Sequence, residues 1–187
     1  MGRSLRASLG SCAAVLLAGC GTVSASAPDV RDSAAGGTQA QDFTGRDVQG
    51  KTFRLSDHVG KQVILLDFWA TFCEPCKAEF GHLQDLVARD ANKGLLVVGV
   101  SMDGPETSAD VPAFVKRFGL TFPVVLDDDS RIASVYDPKK SMPLSVLIDR
   151  GGRVIAVREG YNPGDEQLVD ADVEGALGLS TEAASRP

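Results

Sequence analysis

The sequence predicts an α/β fold, a mixed central sheet with helices on both faces. Three observations carry that reading. Lys61–Trp69 and Leu95–Ser101 are short and almost continuously apolar, the pattern of strands covered from both sides. The segment after each of them repeats apolar residues at helical spacing. Leu144–Asp149 and Arg153–Arg158 flank Arg150-Gly151-Gly152 and read as an antiparallel hairpin. The order β-α-β-α-(insert)-β-β-α places helices on both sides of one sheet.

Taken in order, Met1–Gly19 reads as a secretory signal. Arg3 and Arg6 form a short positive start, and Leu9–Leu17 supplies a short apolar stretch. Leu17-Ala18-Gly19-Cys20 resembles the lipobox of bacterial lipoproteins. That resemblance implies cleavage before Cys20 and diacylglycerol on its sulfur, with each buried methylene of the acyl chains adding about 0.8 kcal/mol to anchoring. Residues 20–40 are rich in Ala, Ser, Gly and Thr. They bury too little apolar surface to offset ordering entropy and read as a lipidated, flexible tether. No later apolar run approaches the roughly 20 residues that a membrane-crossing helix needs.

One folded domain is expected over 41–180, with a disordered tail at 181–187. Phe43, Phe53 and Leu55 flank Gly50-Lys51 as a small N-terminal hairpin. Glu74 to about Asp90 is a helix, because Cys76, Phe80, Leu83, Leu86 and Val87 share one face. Asn92-Lys93-Gly94 ends it. Val111, Phe114, Val115 and Phe118 mark a second helix with Pro112 in its first turn. Pro123–Leu126 reads as a short strand, Ser130–Tyr136 as a short helix, and Asp165–Leu177 as the closing helix.

Charge and cysteine usage narrow the function. The chain carries 19 Lys+Arg against 25 Asp+Glu, and loss of Arg3 and Arg6 takes the net charge from −6 to −8. Such acidity argues against nucleic acid as a partner. Of four cysteines, Cys12 leaves with the signal and Cys20 is lipidated. Cys73 and Cys76 remain as one close pair, which suits a working dithiol better than a structural staple.

That pair lies in Asp67-Phe68-Trp69-Ala70-Thr71-Phe72-Cys73-Glu74-Pro75-Cys76-Lys77, where a strand meets a helix. Free N–H groups and the positive dipole end stabilise a thiolate there, so Cys73 is the expected nucleophile. Cys76, one turn on, is the expected resolving thiol. Glu74, roughly 6 Å from the Cys73 sulfur, disfavours the thiolate by about 0.7 kcal/mol. That biases the pair weakly towards a reductase, against an opposing dipole of similar size. Pro75 stiffens the first turn, and Trp69 and Phe72 are expected as an apolar rim that meets substrate. Asp67, inside an apolar strand, is expected to keep its proton near neutrality or to reach one through water. Glu79 fits either a tuning acid or a solvated helix face. His58 and His82 offer no recognisable metal-ligand spacing, so no metal and no cofactor are expected.

These residues resemble the thioredoxin fold and, within it, the TlpA/ResA-like membrane-anchored thiol–disulfide oxidoreductases of the AhpC/TSA–redoxin clan. The match covers about residues 42–179. It rests on Asp67-Phe68-Trp69-Ala70, on Cys73-Glu74-Pro75-Cys76-Lys77, and on Met142-Pro143 before Leu147-Ile148-Asp149. The N-terminal hairpin and an insert near 119–137 mark the subgroup. The resemblance implies a lipid-anchored protein on the periplasmic side of the cell envelope. It implies a disulfide-containing protein substrate, often in cytochrome c maturation, and a membrane-bound dithiol as electron donor. It implies that Pro143 is cis and leaves the Met142 backbone to pair with substrate. It also implies proton-relay roles for Asp67 and Glu79. ResA-like members carry a neutral residue at the position of Asp67, so the resemblance does not choose between the two acids.

Two alternatives compete. A peroxiredoxin-like thiol peroxidase needs Pro and Thr or Ser at set spacing upstream of its cysteine; Thr71 is too close to Cys73, and no proline precedes it nearby. A copper-carrying binding module would use soft thiolates, but related chaperones have a wider cysteine spacing and a distant histidine.

Overall fold

The computed structural model describes residues 37–179. The signal, Cys20, residues 20–36 of the tether and the tail at 181–187 lie outside the described residues. Within them, no helix is long and apolar enough to cross a membrane.

Seven strands form one sheet in the order β2-β1-β5-β4-β3-β6-β7. They are β1 (Thr44–Asp47), β2 (Thr52–Arg54), β3 (Val63–Trp69), β4 (Leu95–Ser101), β5 (Val124–Leu126), β6 (Leu144–Ile148) and β7 (Val154–Glu159). The helices are α1 (Glu74–Asp90), α2 (Val111–Phe118), α3 (Ala133–Tyr136) and α4 (Glu166–Leu177). β3 is central and all seven of its residues are buried, as its unbroken apolar run requires. It pairs in parallel with β4 and antiparallel with β6. β4 in turn pairs in parallel with β5.

Stepping from β3 to β4 to β5 moves in one direction across the sheet. Right-handed crossovers then put α1 and α2 on the same face. Accordingly Phe80, Leu83 and Leu86 of α1 and Phe114 of α2 share a cluster with Val63, Leu65 and Trp69 of β3, and α4 joins it through Val169, Val173 and Leu177. The opposite face carries Ile64, Leu66 and Phe68, covered by Phe53 and Leu55 near the hairpin and by Ile132 and Ala133 at α3.

Several expectations shift. The N-terminal hairpin is part of the sheet, because β1 pairs antiparallel with β5. The short strand expected at Pro123–Leu126 is β5, and it joins the sheet within the stretch expected as an insert. α3 starts at Ala133, later than Ser130: Ser130 has φ 57°, and the Asp127 carboxylate accepts from Ile132 N and Ala133 N at 3.0 and 2.8 Å. Thr38–Ala40, placed in the tether by composition, are hydrogen-bonded to the β6–β7 connection and the start of β7. Val154 N donates to Thr38 O at 2.9 Å and Ala40 N to Gly152 O at 2.8 Å.

Gly99 of β4 lies beside Asp67, and a Cβ there would meet Trp69 Nε1 at 2.8 Å, Phe122 Cε2 at 3.2 Å and Val124 Cγ2 at 3.3 Å. The missing side chain is what lets the indole pack against β4. Gly99→Ala is expected to destabilise the protein by about 1–3 kcal/mol through overpacking, read as a lower urea midpoint. An unchanged midpoint would show that the indole is free to move.

Candidate active site

The site forms where β3 ends and α1 begins. Cys73 occupies the cap position of α1 with an extended backbone (φ −83°, ψ 104°), and its sulfur accepts from Cys76 N at 3.3 Å. Pro75, in the first turn, lacks an N–H that would have had no helical partner. Cys73 and Cys76 are joined as a disulfide. Cys73 is 7% exposed and Cys76 fully buried, so the pair meets solvent only through a sliver of Cys73.

The other residues read from the sequence divide between surface and interior. Phe72 is 62% exposed and stands beside the disulfide as an apolar rim. Glu74 is exposed and ion-paired with Lys77 at 2.6 Å, which offsets its charge near Cys73. Pro75 is exposed. The Met142–Pro143 bond is cis. Pro143 is buried, and its carbonyl accepts from Gly160 N at 2.8 Å; among the described residues no backbone bond engages Met142.

Trp69 departs from its expected place in the rim. It has no exposed surface and stacks on Phe114 at 5.2 Å, with Phe80 edge-on at 5.1 Å. The reason is strand parity: Trp69 shares the α1 face of β3 with Leu65 and Asp67, under the helices.

Asp67 and Glu79 are both interior. Asp67 is fully buried, neither oxygen has a hydrogen-bond partner, and its register neighbours are Gly99 and Ser145. Burial pushes its carboxyl well above the ordinary carboxylate range, and the Glu79 charge pushes the same way. Glu79 is 2% exposed, three residues along α1 from Cys76 and so on the same side of the helix. Ser145 Oγ donates to its Oε1 at 3.3 Å, while Oε2 has no partner. Burial raises Glu79 to about 7; the Ser145 bond opposes this, and the charges of Asp165 and Glu166 add to it. A cleft of about 270 Å³, lined by Glu79, Ser145, Tyr161 and Asp165 among others, leads to the Glu79 side chain. A larger cavity, about 690 Å³, lies away from the disulfide, between residues 37–41, α3 and β7.

Sequence reading missed Ser145, Tyr161 and Asp103. Tyr161 OH donates to Glu166, next to the acids that act on Glu79. Asp103 is 1% exposed and bonded to Thr71, two residues before Cys73. Its one signal in the sequence is its place just after a parallel strand, on the edge where sites gather in α/β folds.

A redox-capable cysteine pair opening the helix behind the central strand of such a sheet defines a thiol–disulfide oxidoreductase of thioredoxin-like fold. The chain belongs to the AhpC/TSA family, which its residues 36–157 match. It is 37% identical over 130 residues to the thiol-disulfide oxidoreductase ResA of Bacillus subtilis, covering 70% of each chain. A crystal structure described as a thiol:disulfide interchange protein DsbE from Chlorobium tepidum superposes with a TM-score of 0.71 at 34% identity, covering 76% of this chain and 98% of that one. The exposed lipoprotein thioredoxin of Streptococcus pneumoniae superposes with a TM-score of 0.58 at 27% identity, covering 71% and 98%.

Glu79 supports the fold only while protonated. Its contribution is complete below the ordinary value of 4.5 and is lost as pH rises towards about 7. Between pH 5 and pH 8 the oxidised protein should lose stability, and Glu79→Gln should lose about 2–3 kcal/mol less. Urea titrations at both pH values measure this; identical pH dependence in the two proteins would place Glu79 in solvent.

Proposed function

We propose that this chain reduces protein disulfides outside the cytoplasm while held at a membrane by lipid on Cys20. The observation that carries the proposal is the Cys73–Cys76 disulfide at the start of α1, with Phe72 exposed beside it. The cis Met142–Pro143 bond is the second feature that the thioredoxin-like resemblance required.

In the reduced protein the Cys73 thiolate attacks one sulfur of the client disulfide. The client's other sulfur leaves as a thiolate and takes up a proton. Cys76 gives its proton to Glu79, attacks Cys73 Sγ and expels the second client sulfur, which is protonated in turn. The client gains two electrons and two protons, and the two cysteines lose them. Glu79 suits the acceptor role because an acid at about 7 is substantially ionised near neutral pH, whereas Asp67 is held protonated. Trp69 acts here by supporting the site from within. Phe72, Glu74, Pro75 and Met142 form the client-facing surface, and the buried Pro143 fixes the backbone next to Met142.

The reducing direction is read from Glu79, the acid that is partly ionised near neutral pH. Carboxylates near a dithiol disfavour its thiolates, and a less stabilised thiolate is a stronger reductant. A membrane-bound dithiol would then restore the pair. Apocytochrome c is the client class that the ResA-like resemblance suggests. The proposed organisation is a signal at 1–19, a lipidated tether at 20–40, a redox domain at 41–180 and a free tail at 181–187. The lipoprotein thioredoxin among the structural neighbours supports the anchor. Engagement of the Thr71 hydroxyl by Asp103 disfavours the peroxidase alternative, which would need a hydroxyl free to meet peroxide.

Cys73→Ser should abolish insulin disulfide reduction, and Cys76→Ser should accumulate mixed disulfides with clients. Full activity in either variant refutes the dithiol assignment. Cys20→Ala should move the protein from the membrane to the soluble fraction; unchanged fractionation refutes the anchor.

A further inference from the structure

Asp103 has no place in the chemistry above, yet it is the most completely engaged buried carboxylate near the disulfide. β4 ends at Ser101, directly beside Trp69 at the end of β3. The chain then runs through Met102, whose N–H donates to Trp69 O at 2.8 Å, and so keeps the two strand ends together. Asp103 follows, 1% exposed. Its Oδ2 accepts from Thr71 N at 3.0 Å and from Ser101 Oγ at 2.9 Å, and its Oδ1 accepts from Thr71 Oγ1 at 2.5 Å. Asp103 N donates back to Ser101 Oγ at 3.3 Å. Among the described residues no cation lies within ion-pair reach of it. Neutral donors alone engage its carboxyl oxygens, and Thr71 supplies two of the three.

Thr71 lies in the short connection that delivers Cys73. Cys73 N donates to Ala70 O at 3.0 Å, which closes a tight turn around Thr71 and Phe72. The turn sets the cap geometry in which Cys73 Sγ faces Cys76 N at 3.3 Å. The line of contact therefore runs from the end of β4, through Asp103 and Thr71, to the sulfur.

We propose that Asp103 is the positioning residue of the dithiol, holding Thr71 by both its N–H and its hydroxyl so that Cys73 is presented at the start of α1. The proposal rests on the reading of Cys73 as the attacking sulfur. A fixed connection is needed because disulfide exchange requires the attacking sulfur to line up with the bond it breaks, and a loosened nucleophile loses rate even when client binding is intact.

The test uses the full chain with insulin as substrate and dithiothreitol as donor. Thr71→Val removes the hydroxyl donor at nearly constant shape, Thr71→Ser keeps it, and Asp103→Asn removes the charge. Thr71→Val and Asp103→Asn should lower kcat by about 10-fold or more with KM unchanged. They should also slow iodoacetamide alkylation of Cys73, followed by mass spectrometry of its peptide. Thr71→Ser should retain wild-type values for both. Wild-type kcat and alkylation rate in Thr71→Val overturn the proposal, as does a loss confined to KM. Thr71→Val keeps the test decisive if Asp103→Asn fails to fold. Cys73→Ser, run alongside, separates the two claims. If it stays active, the reading of the nucleophile fails; if it is inactive while Thr71→Val is normal, only the role of Asp103 fails.

Discussion

Two carboxylates share an interior that cannot hold two charges. Asp67 has no hydrogen-bond partner at all, and Glu79 has one, a serine hydroxyl. A lone ionised carboxylate in such surroundings is too unfavourable to persist, so the pair keeps at least one proton at neutral pH. The sheet is arranged around that requirement. β3 must be buried on both faces to place Asp67 there, and its neighbours at that level are the small residues Gly99 and Ser145. Gly99 leaves room for the Trp69 indole, and Ser145 turns its hydroxyl to Glu79. Aromatic packing of Trp69, Phe80 and Phe114 on the same face of the sheet contributes stability there.

How much of this was legible in the sequence depends on the range of the interaction. Short-range chemistry read well. The bounds of α1 follow from a capping cysteine, a first-turn proline and a stripe at helical spacing, and β4 follows from one apolar run. Parity held further information. Trp69 is two residues from Asp67 and four from Leu65, so it had to share their inward face; the assignment to the rim came from its closeness to Cys73 along the chain. Glu79 lies between Cys76 and Phe80 on the apolar stripe of α1, which already argued against a solvated face. Long-range pairing was not legible. Nothing in Thr44–Asp47 announces that it pairs with Val125 and Leu126, and Asp103 meets Thr71 across 32 residues.

The surroundings of the disulfide are asymmetric. On the α2 side, Phe114 stacks on Phe118 at 4.4 Å, and the Arg117 guanidinium sits 5.1 Å from both rings. Lys77 approaches Phe114 from α1 at 5.9 Å. On the α4 side the cleft at Glu79 is bordered by Glu159 and Asp165, with Glu166 held by Tyr161. The α2 side is thus aromatic and cationic, while the cleft at Glu79 is richer in acids, with Arg158 as the one cation among its described lining residues. Asp165 and Glu166 on that side are also the charges that raise Glu79.

That arrangement bears on redox direction through the proton. Reducing Cys73–Cys76 creates two sulfurs that must each hold either a proton or a charge, whereas the disulfide holds neither. An environment that favours charge on sulfur makes the disulfide easier to reduce and the dithiol a weaker donor. Here the N-terminus of α1 favours charge at Cys73, through the Cys76 N–H on its sulfur. Cys76 lies deeper, on the same side of the helix as Glu79. In the proposed mechanism Cys76 surrenders its proton only after Cys73 is bound to a client, and Glu79, raised to about 7 by burial, is the acid that takes it. A lone helix terminus would make both sulfurs acidic and favour oxidation of clients. Under the proposed function, the acids beneath the sheet-facing side of α1 counter that bias and turn the same dithiol towards reduction.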